Sequence, residues 1–194
     1  MKRSLHLITL FSTLLITACA SVTPSPDTSA EQNLLKDRRP HAVVVSDKKI
    51  ESEAFEELND TSDIQQNCHA AVNAYNGAAL ITGEAPTEAL KAKVIAAVQA
   101  IPNVTLIQDH LNVEEPISLD VQENDKLITQ SIRKAFKQIR SMHEFDPNTI
   151  KVITENGVVY LMGIVQRDEG KVIINLTKLQ PGVRQIVTVF EYLD

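Results

Sequence analysis

The apolar and polar positions of the chain follow the same order in two successive blocks. In each block, apolar residues recur with helical spacing, form two short runs typical of strands, return to helical spacing and end in a third strand-like run. The first block predicts helices over residues 48–58 and 87–101 and strands over 69–75, 78–84 and 104–113. The second predicts helices over 124–140 and 167–179 and strands over 149–155, 158–165 and 183–193. We therefore predict an internal repeat of one helix–strand–strand–helix–strand unit.

Turn residues mark the same positions in both blocks. They are Asn76, Gly77 and Gly83 in the first block, and Asn156, Gly157 and Gly163 in the second. An Asn-Gly pair between two apolar runs is typical of a type I′ hairpin turn, because both turn residues need a positive φ angle. The later Gly of each block lies where a missing side chain would allow a helix or a backbone segment to come close.

The connections between these elements predict the fold class. A hairpin pairs its two strands antiparallel, and a helical crossover then returns the third strand parallel to its neighbour with a right-handed connection. We therefore predict an α+β fold of two tandem domains, each with two helices on one face of a small three-stranded mixed sheet. The domains are expected over residues 43–114 and 124–194, with a linker over 115–123. Because residues 158–165 are apolar on both faces of their strand, the outer face is expected to pack against the first domain.

The amino-terminal segment has the features of an export signal. Lys2 and Arg3 precede a mostly apolar run over residues 5–17, which is too short to span a bilayer. The run ends in Leu-Ile-Thr-Ala-Cys, which resembles the lipobox of bacterial lipoproteins. We therefore expect a signal peptide over residues 1–18 and lipidation of Cys19. The alternative is an ordinary signal peptide that happens to contain a Cys.

The segment after the signal peptide and the overall charge narrow the class of protein further. Residues 19–42 are rich in Ser, Thr, Pro and charge, as in a flexible tether, and Ala20 resembles the pattern of lipoproteins sorted to the outer membrane. Removal of the signal peptide takes away Lys2 and Arg3, so the net charge of −6 becomes −8. A net-acidic protein argues against nucleic acid as a partner.

Against this acidic background, the predicted helix over residues 124–140 is locally basic. Between residues 126 and 140 it carries five basic residues and no acidic residue. Apolar side chains from Ile128 to Ile139 form one stripe, and most of the basic side chains lie opposite. The candidate lipid-binding residues are Lys126, Leu127, Gln130, Ser131, Arg133, Lys134, Lys137 and Arg140. This helix predicts an anionic phospholipid membrane as the partner.

The equivalent helix of the first block serves as a control for this charge. Residues 48–58 contain Lys48 and Lys49 but also four Glu residues. The fold therefore does not require a basic helix at this position. The difference favours contact with an anionic surface over the alternative, which is a solvated helix face.

Several of these residues resemble a known family. The resemblance is closest in Asn124-Asp125, Ile128-Thr129, Arg133, Thr154-Glu155-Asn156-Gly157 and Leu161-Met162-Gly163. With the Asn-Gly hairpins and the lipobox, they are similar to two BON (bacterial outer-membrane and nodulation) domains in a lipoprotein. The resemblance implies a periplasm-facing outer-membrane lipoprotein that binds anionic phospholipid through the first helix of its second domain, collects at division sites and supports outer-membrane integrity. At the position where a lipoprotein of this type carries a bulky aromatic residue that enters the membrane, this chain has Leu127. The resemblance therefore implies weaker membrane insertion.

The remaining polar residues do not indicate an enzyme. The five His residues show no two-His metal spacing, and no Gly-rich phosphate loop is present in the sequence. The dense cluster over residues 143–146 is interpreted as turn chemistry rather than a metal site. Cys68 is interpreted as a small apolar residue rather than a nucleophile. We expect no catalysis, no metal and no cofactor.

Two further hypotheses about function remain open. The acidic helix over residues 51–57 would suit a protein-interaction module that contacts outer-membrane assembly proteins. The chain would otherwise be a passive envelope chaperone without lipid preference. We expect a monomer.

Overall fold

The structure is a computed structural model in which residues 37–139 and 145–193 are described. The first domain consists of α1 (His41–Asp60), α2 (Ser62–Asn67), β1 (His69–Tyr75), β2 (Ala78–Ala85), α3 (Glu88–Gln99) and β3 (Leu106–Val113). The second consists of α4 (Leu119–Phe136), a 3₁₀ turn (Pro147–Thr149), β4 (Lys151–Glu155), β5 (Val158–Val165), α5 (Arg167–Lys178) and β6 (Gln185–Tyr192). The predicted repeat is therefore present in the fold.

Each domain contains one three-stranded mixed sheet. β2 lies at the centre of the first sheet, antiparallel to β1 and parallel to β3, and β5 has the same place between β4 and β6. The hairpin turns have positive φ angles at both residues, 51° and 78° at Asn76 and Gly77, and 46° and 70° at Asn156 and Gly157. This geometry is that of a type I′ turn. The α+β prediction is confirmed.

The two long helices differ in extent from the predicted ones. α1 begins at His41 rather than residue 48, and α4 covers Leu119–Phe136 rather than residues 124–140. α4 begins early because Ser118 has the extended backbone of a helix N-cap and Asp120 places a carboxylate in the first turn. The second half of the predicted linker over 115–123 is therefore helical. The short helix α2 was not predicted.

The predicted tether also ends earlier than residue 42, because residues 37–40 pack against both domains. The Arg38 guanidinium donates hydrogen bonds of 2.6 and 2.8 Å to the Glu169 carboxylate and one of 2.9 Å to the carbonyl of Ile164. Arg39 lies 3.7 Å from the centroid of the Tyr75 ring. The remainder of the tether, Cys19 and the signal peptide lie outside the described residues.

Each domain has its own apolar core between its sheet and its helices, and a third cluster joins the domains. The shared cluster contains Tyr75 and Leu80 of the first domain and Tyr160 and Met162 of the second. Leu80 and Met162 are completely buried there. The outer faces of the two sheets therefore pack together, as the two-sided apolar pattern of residues 158–165 predicts.

Candidate functional site

Helix α4 presents two different faces. Ile128, Ile132 and Phe136 are buried in the core of the second domain. The opposite face exposes Lys126, Leu127, Gln130, Arg133, Lys134 and Lys137. Within the described ranges, no helix is long and apolar enough to cross a membrane.

Three of the predicted site residues make contacts within the protein. The half-buried Ser131 donates a 2.7 Å hydrogen bond to the side-chain oxygen of Gln180. Lys126 forms an exposed ion pair of 3.3 Å with Glu123, one helical turn before it. Arg133 donates a bond of 3.3 Å to the carbonyl of Val152 in β4.

Lys134 and Lys137 carry the positive charge that is available to a ligand. Among the residues that the structure describes, neither has a carboxylate within 4.0 Å. Arg133 lies on the same exposed face, and its planar guanidinium suits phosphate oxygens. Arg140, which the sequence assigns to the same face, lies outside the described residues. The basic surface thus lies in the second half of α4, after the acidic residues of its first half.

Two exposed leucines flank this basic surface. Leu127 is 56% exposed and Leu179, at the end of α5, is 75% exposed. Leu179 precedes Gln180, whose side chain bonds to Ser131, so the end of α5 lies beside α4. A Cβ atom built on Gly182 would come within 2.8 Å of the Ile128 Cδ1 atom, which shows how closely this turn packs on the helix. Leu179 was not predicted as a site residue, because sequence periodicity does not show which loop lies next to α4.

An acidic residue on the inner side of α4 fixes the helix to the hairpin. The Asp125 carboxylate accepts hydrogen bonds from the backbone N–H groups of Asn156, at 2.7 Å, and Gly157, at 2.8 Å. Asp47 of α1 makes the same pair of contacts with Asn76 and Gly77, at 2.8 and 2.9 Å. The recurrence of an Asp in the helix before each Asn-Gly pair was a signal in the sequence that the prediction missed.

A cleft of about 660 Å³ opens beside α4, between the two domains. Arg133 and Lys137 line one side, and Lys151, Glu51 and Arg39 lie on the other. Lys151 pairs with Glu51, and burial together with the charge of Arg39 lowers the pKa of Lys151 to about 8. Because its charges are mixed and largely paired, this cleft attracts an anion less than the exposed helix face does.

Cys68 has the surroundings of a structural residue. It is partly buried and packs against the core of the first domain. Burial raises the pKa of its thiol, which favours the unreactive protonated form.

Comparison with known proteins identifies the family. The BON domain model matches residues 46–115 and again residues 124–194. The chain therefore belongs to the BON domain family and carries two copies of the domain. This result agrees with the tandem repeat and with the two similar sheets.

The chain is also similar to curated proteins along most of its length. It is 26% identical over 159 residues to the outer membrane lipoprotein DolP of Haemophilus influenzae, covering 81% of this chain and 80% of that protein. It is 26% identical over 158 residues to a 21 kDa hemolysin of Actinobacillus pleuropneumoniae, with the same coverage. Among solved structures, CdsD, a structural protein of the Type III secretion system of Chlamydia trachomatis, covers 72% of this chain and 91% of its own, with 12% identity and a TM-score of 0.32.

Proposed function

We propose that this protein is a lipid-anchored outer-membrane lipoprotein, facing the periplasm, that binds anionic phospholipid through α4. Its anchor would be Cys19, and the similarity to the outer membrane lipoprotein of Haemophilus influenzae supports an outer-membrane location. The bound headgroup would be of the phosphatidylglycerol type. The protein would support envelope integrity and would gather at division sites. A fluorescent fusion, imaged in dividing cells, tests this location.

One observation carries the proposal: α1 and α4 occupy equivalent places in two copies of one fold but differ in exposed charge. Lys134 and Lys137 are exposed on α4, whereas Glu56 and Glu57 are exposed on α1. The fold itself therefore does not select a basic helix. A membrane surface that carries anionic lipid supplies the selection, because it attracts Lys and Arg side chains near it.

The expected binding energy is modest and requires the anchor. Each Lys or Arg near an anionic surface contributes about 1 kcal/mol, so Arg133, Lys134 and Lys137 contribute about 3 kcal/mol before screening by salt. Leu127 and Leu179 add buried apolar area when they enter the headgroup region. The acylated Cys19 holds the domain near the bilayer at high effective concentration, which makes a weak surface contact sufficient.

Vesicle binding tests this function. The chain from Ala20 onward lacks the acylated Cys and retains every described residue of both domains. It should sediment with vesicles that contain phosphatidylglycerol and remain in solution with neutral phosphatidylcholine vesicles. The bound fraction should fall between about 0.1 and about 0.5 M salt, because screening shortens the range of the attraction. Equal binding to both vesicle types would contradict the proposal.

A second candidate function rests on the acidic face of α1. Phe55 is 71% exposed there and lies between the exposed Glu56 and Glu57 on one side and Glu53 on the other. An exposed aromatic ring among carboxylates suits a basic protein surface, such as one on the outer-membrane assembly machinery. Reversal of Glu56 and Glu57 to Lys should abolish capture of such a partner by the full chain.

A further inference from the structure

Three potential metal ligands meet at the junction of the two domains. His69 begins β1, Glu84 lies opposite it in β2, and Glu155 ends β4 of the second domain. The Nδ1 atom of His69 is 3.0 Å from Oε2 of Glu84 and 3.4 Å from Oε1 of Glu155. One ligand atom from each of the three residues lies within 4.8 Å of the other two. The three residues are not among the proposed lipid-binding residues, although a cleft lined by His69 and Glu155 is also lined by residues of α4.

One carboxylate oxygen of the cluster lacks a hydrogen-bond donor. The Glu84 side chain is completely buried, and the Glu155 side chain is 10% exposed. Oε2 of Glu84 accepts a 3.2 Å hydrogen bond from the backbone N–H of Ile117, but Oε1 has no partner among the described residues. A buried carboxylate oxygen without a donor is costly, so the unpartnered Oε1 atom indicates that this carboxylate lacks a binding partner.

The second carboxylate increases this deficit. The Oε1 atom of Glu155 lies 3.4 Å from the same His69 Nδ1 atom that faces Glu84, and Asp125 lines the same cleft as His69 and Glu155. One imidazole therefore faces two carboxylates, with Asp125 close by. A divalent cation would compensate both carboxylates at once, which a single protonated His does not do.

We propose that His69, Glu84 and Glu155 bind one divalent transition-metal ion, with Zn²⁺ as the best match, and thereby join the two domains. Imidazole nitrogen and carboxylate oxygen both bind Zn²⁺ at about 2.0–2.2 Å, which places the ligand atoms of a tetrahedral site about 3.3–3.6 Å apart. The separations of 3.0 and 3.4 Å around the His69 Nδ1 atom require only small adjustment. Binding displaces the Nδ1 proton, because His coordinates metal in its neutral form.

The site has an entry path and room for a further ligand. A cleft of about 340 Å³ leads from solvent to His69 and Glu155, and its other lining residues include Asp125, Lys126, Thr129, Gln130 and Arg133 of α4. A water molecule in this cleft would complete a site with three protein ligands and one open position. The imidazole favours Zn²⁺ over Mg²⁺, which prefers six oxygen ligands.

Zn²⁺ titration of the purified mature chain in detergent tests this site. After treatment with a chelator, calorimetry should detect one Zn²⁺ ion per chain, and saturation with Zn²⁺ should raise the melting temperature. Loss of a residue that only supports a metal ligand lowers metal affinity about 10- to 100-fold. His69→Gln and Glu84→Gln each remove a ligand itself, so each should lower the Zn²⁺ affinity by more than this. The matched control is His110→Gln, because His110 lies in the same sheet and makes an edge-to-face contact with Tyr160. The Zn²⁺ affinity of this variant should be unchanged.

X-ray absorption at the Zn edge of the unmodified chain gives a second measurement that does not depend on the folding of a variant. It should show only nitrogen and oxygen ligands at about 2.0–2.2 Å, whereas a sulfur ligand at about 2.3 Å would assign the ion to Cys68 and overturn the proposal. Absence of saturable Zn²⁺ binding, or the same affinity in His69→Gln, would show that the cluster is an ion pair of the protein alone.

Discussion

Asp125 of α4 holds Gly157 of the second hairpin turn by a hydrogen bond of 2.8 Å from the Gly157 N–H to the carboxylate, and that N–H is buried. The same carboxylate accepts a bond from the neighbouring N–H of Asn156. A tight turn leaves these two N–H groups without partners in the strands, so the helix supplies the acceptor. The first domain repeats the arrangement with Asp47 and Gly77.

Removal of this carboxylate should destabilise the second domain strongly. We expect Asp125→Ala to lower the free energy of unfolding by about 2–4 kcal/mol, because two N–H groups lose charge-assisted bonds. Urea unfolding followed by circular dichroism measures the change. Asp120→Ala is the control, since Asp120 is exposed on the same helix and should cost under about 1 kcal/mol. Equal costs for the two variants would contradict this role of Asp125.

Gly83 of β2 and Gly163 of β5, which occupy equivalent positions in the two domains, should differ in their tolerance of a methyl group. A Cβ atom on Gly83 would lie 1.9 Å from the backbone oxygen of His69, at a φ of +109°. A Cβ atom on Gly163 would meet only the end of the Ile150 side chain, at 2.5 Å, which can move. Gly83→Ala should therefore lower the free energy of unfolding by about 2–4 kcal/mol, and Gly163→Ala by about 1 kcal/mol. The melting temperature should accordingly fall further in Gly83→Ala. Thermal unfolding of both variants checks the order, which would be reversed if the Gly83 backbone adjusted freely.

The ion pair between Arg38 and Glu169 should make stability depend on pH in the acid range. Burial alone would raise the pKa of Glu169, but the hydrogen bonds from Arg38 and from the Gln166 N–H, together with the Arg38 charge, hold it below 4.5. A lowered pKa contributes stability above pH 4.5 that is lost as the pH falls through the folded-state value. The difference in urea midpoint between the unmodified chain and Glu169→Gln should thus shrink below pH 4.5. The exposed Asp168, paired with Lys171, provides the control, because Asp168→Asn should have little effect at any pH.

Substitution of Leu127 by Trp should report membrane contact directly. The chain contains no Trp, so a single introduced indole gives an unambiguous fluorescence signal. Trp prefers the membrane interface, and Leu127→Trp should increase binding to phosphatidylglycerol vesicles and shift its emission to the blue. Phe55→Trp on the exposed face of α1 is the matched control and should show no shift. A shift in the control alone would place the membrane contact on the first domain.

The sequence predicts the parts of this fold that depend on local pattern. The strands that flank the Asn-Gly turns and the crossover helices follow from apolar spacing. The turns themselves follow from the backbone freedom of Gly77 and Gly157. The early start of α4 at Leu119 was missed, because the apolar residues Ile117, Leu119 and Val121 recur every second residue rather than with helical spacing.

The contacts between distant segments could not be predicted in the same way. Glu155 faces His69 from the other domain only because the two sheets pack back to back. Leu179 lies beside α4 because α4 and α5 pack on the same core of the second domain. These residues are far apart in the chain, so no spacing rule brings them together. The contact between Glu155 and His69 depends on Tyr160 and Met162 filling the interface between the domains.

Charge reversal on the two equivalent helices tests lipid binding by α4 most directly. Lys134→Glu with Lys137→Glu changes the net charge by the same amount as Lys48→Glu with Lys49→Glu on α1, and all four lysines are exposed. Each variant, in the chain from Ala20 onward, is sedimented with phosphatidylglycerol vesicles at about 0.1 M salt. Because the two variants have the same net charge, a difference in vesicle binding shows which helix contacts the lipid. We expect the α4 variant to lose binding and the α1 variant to retain it. Equal loss in both variants would show that only net charge matters and would contradict lipid binding by α4.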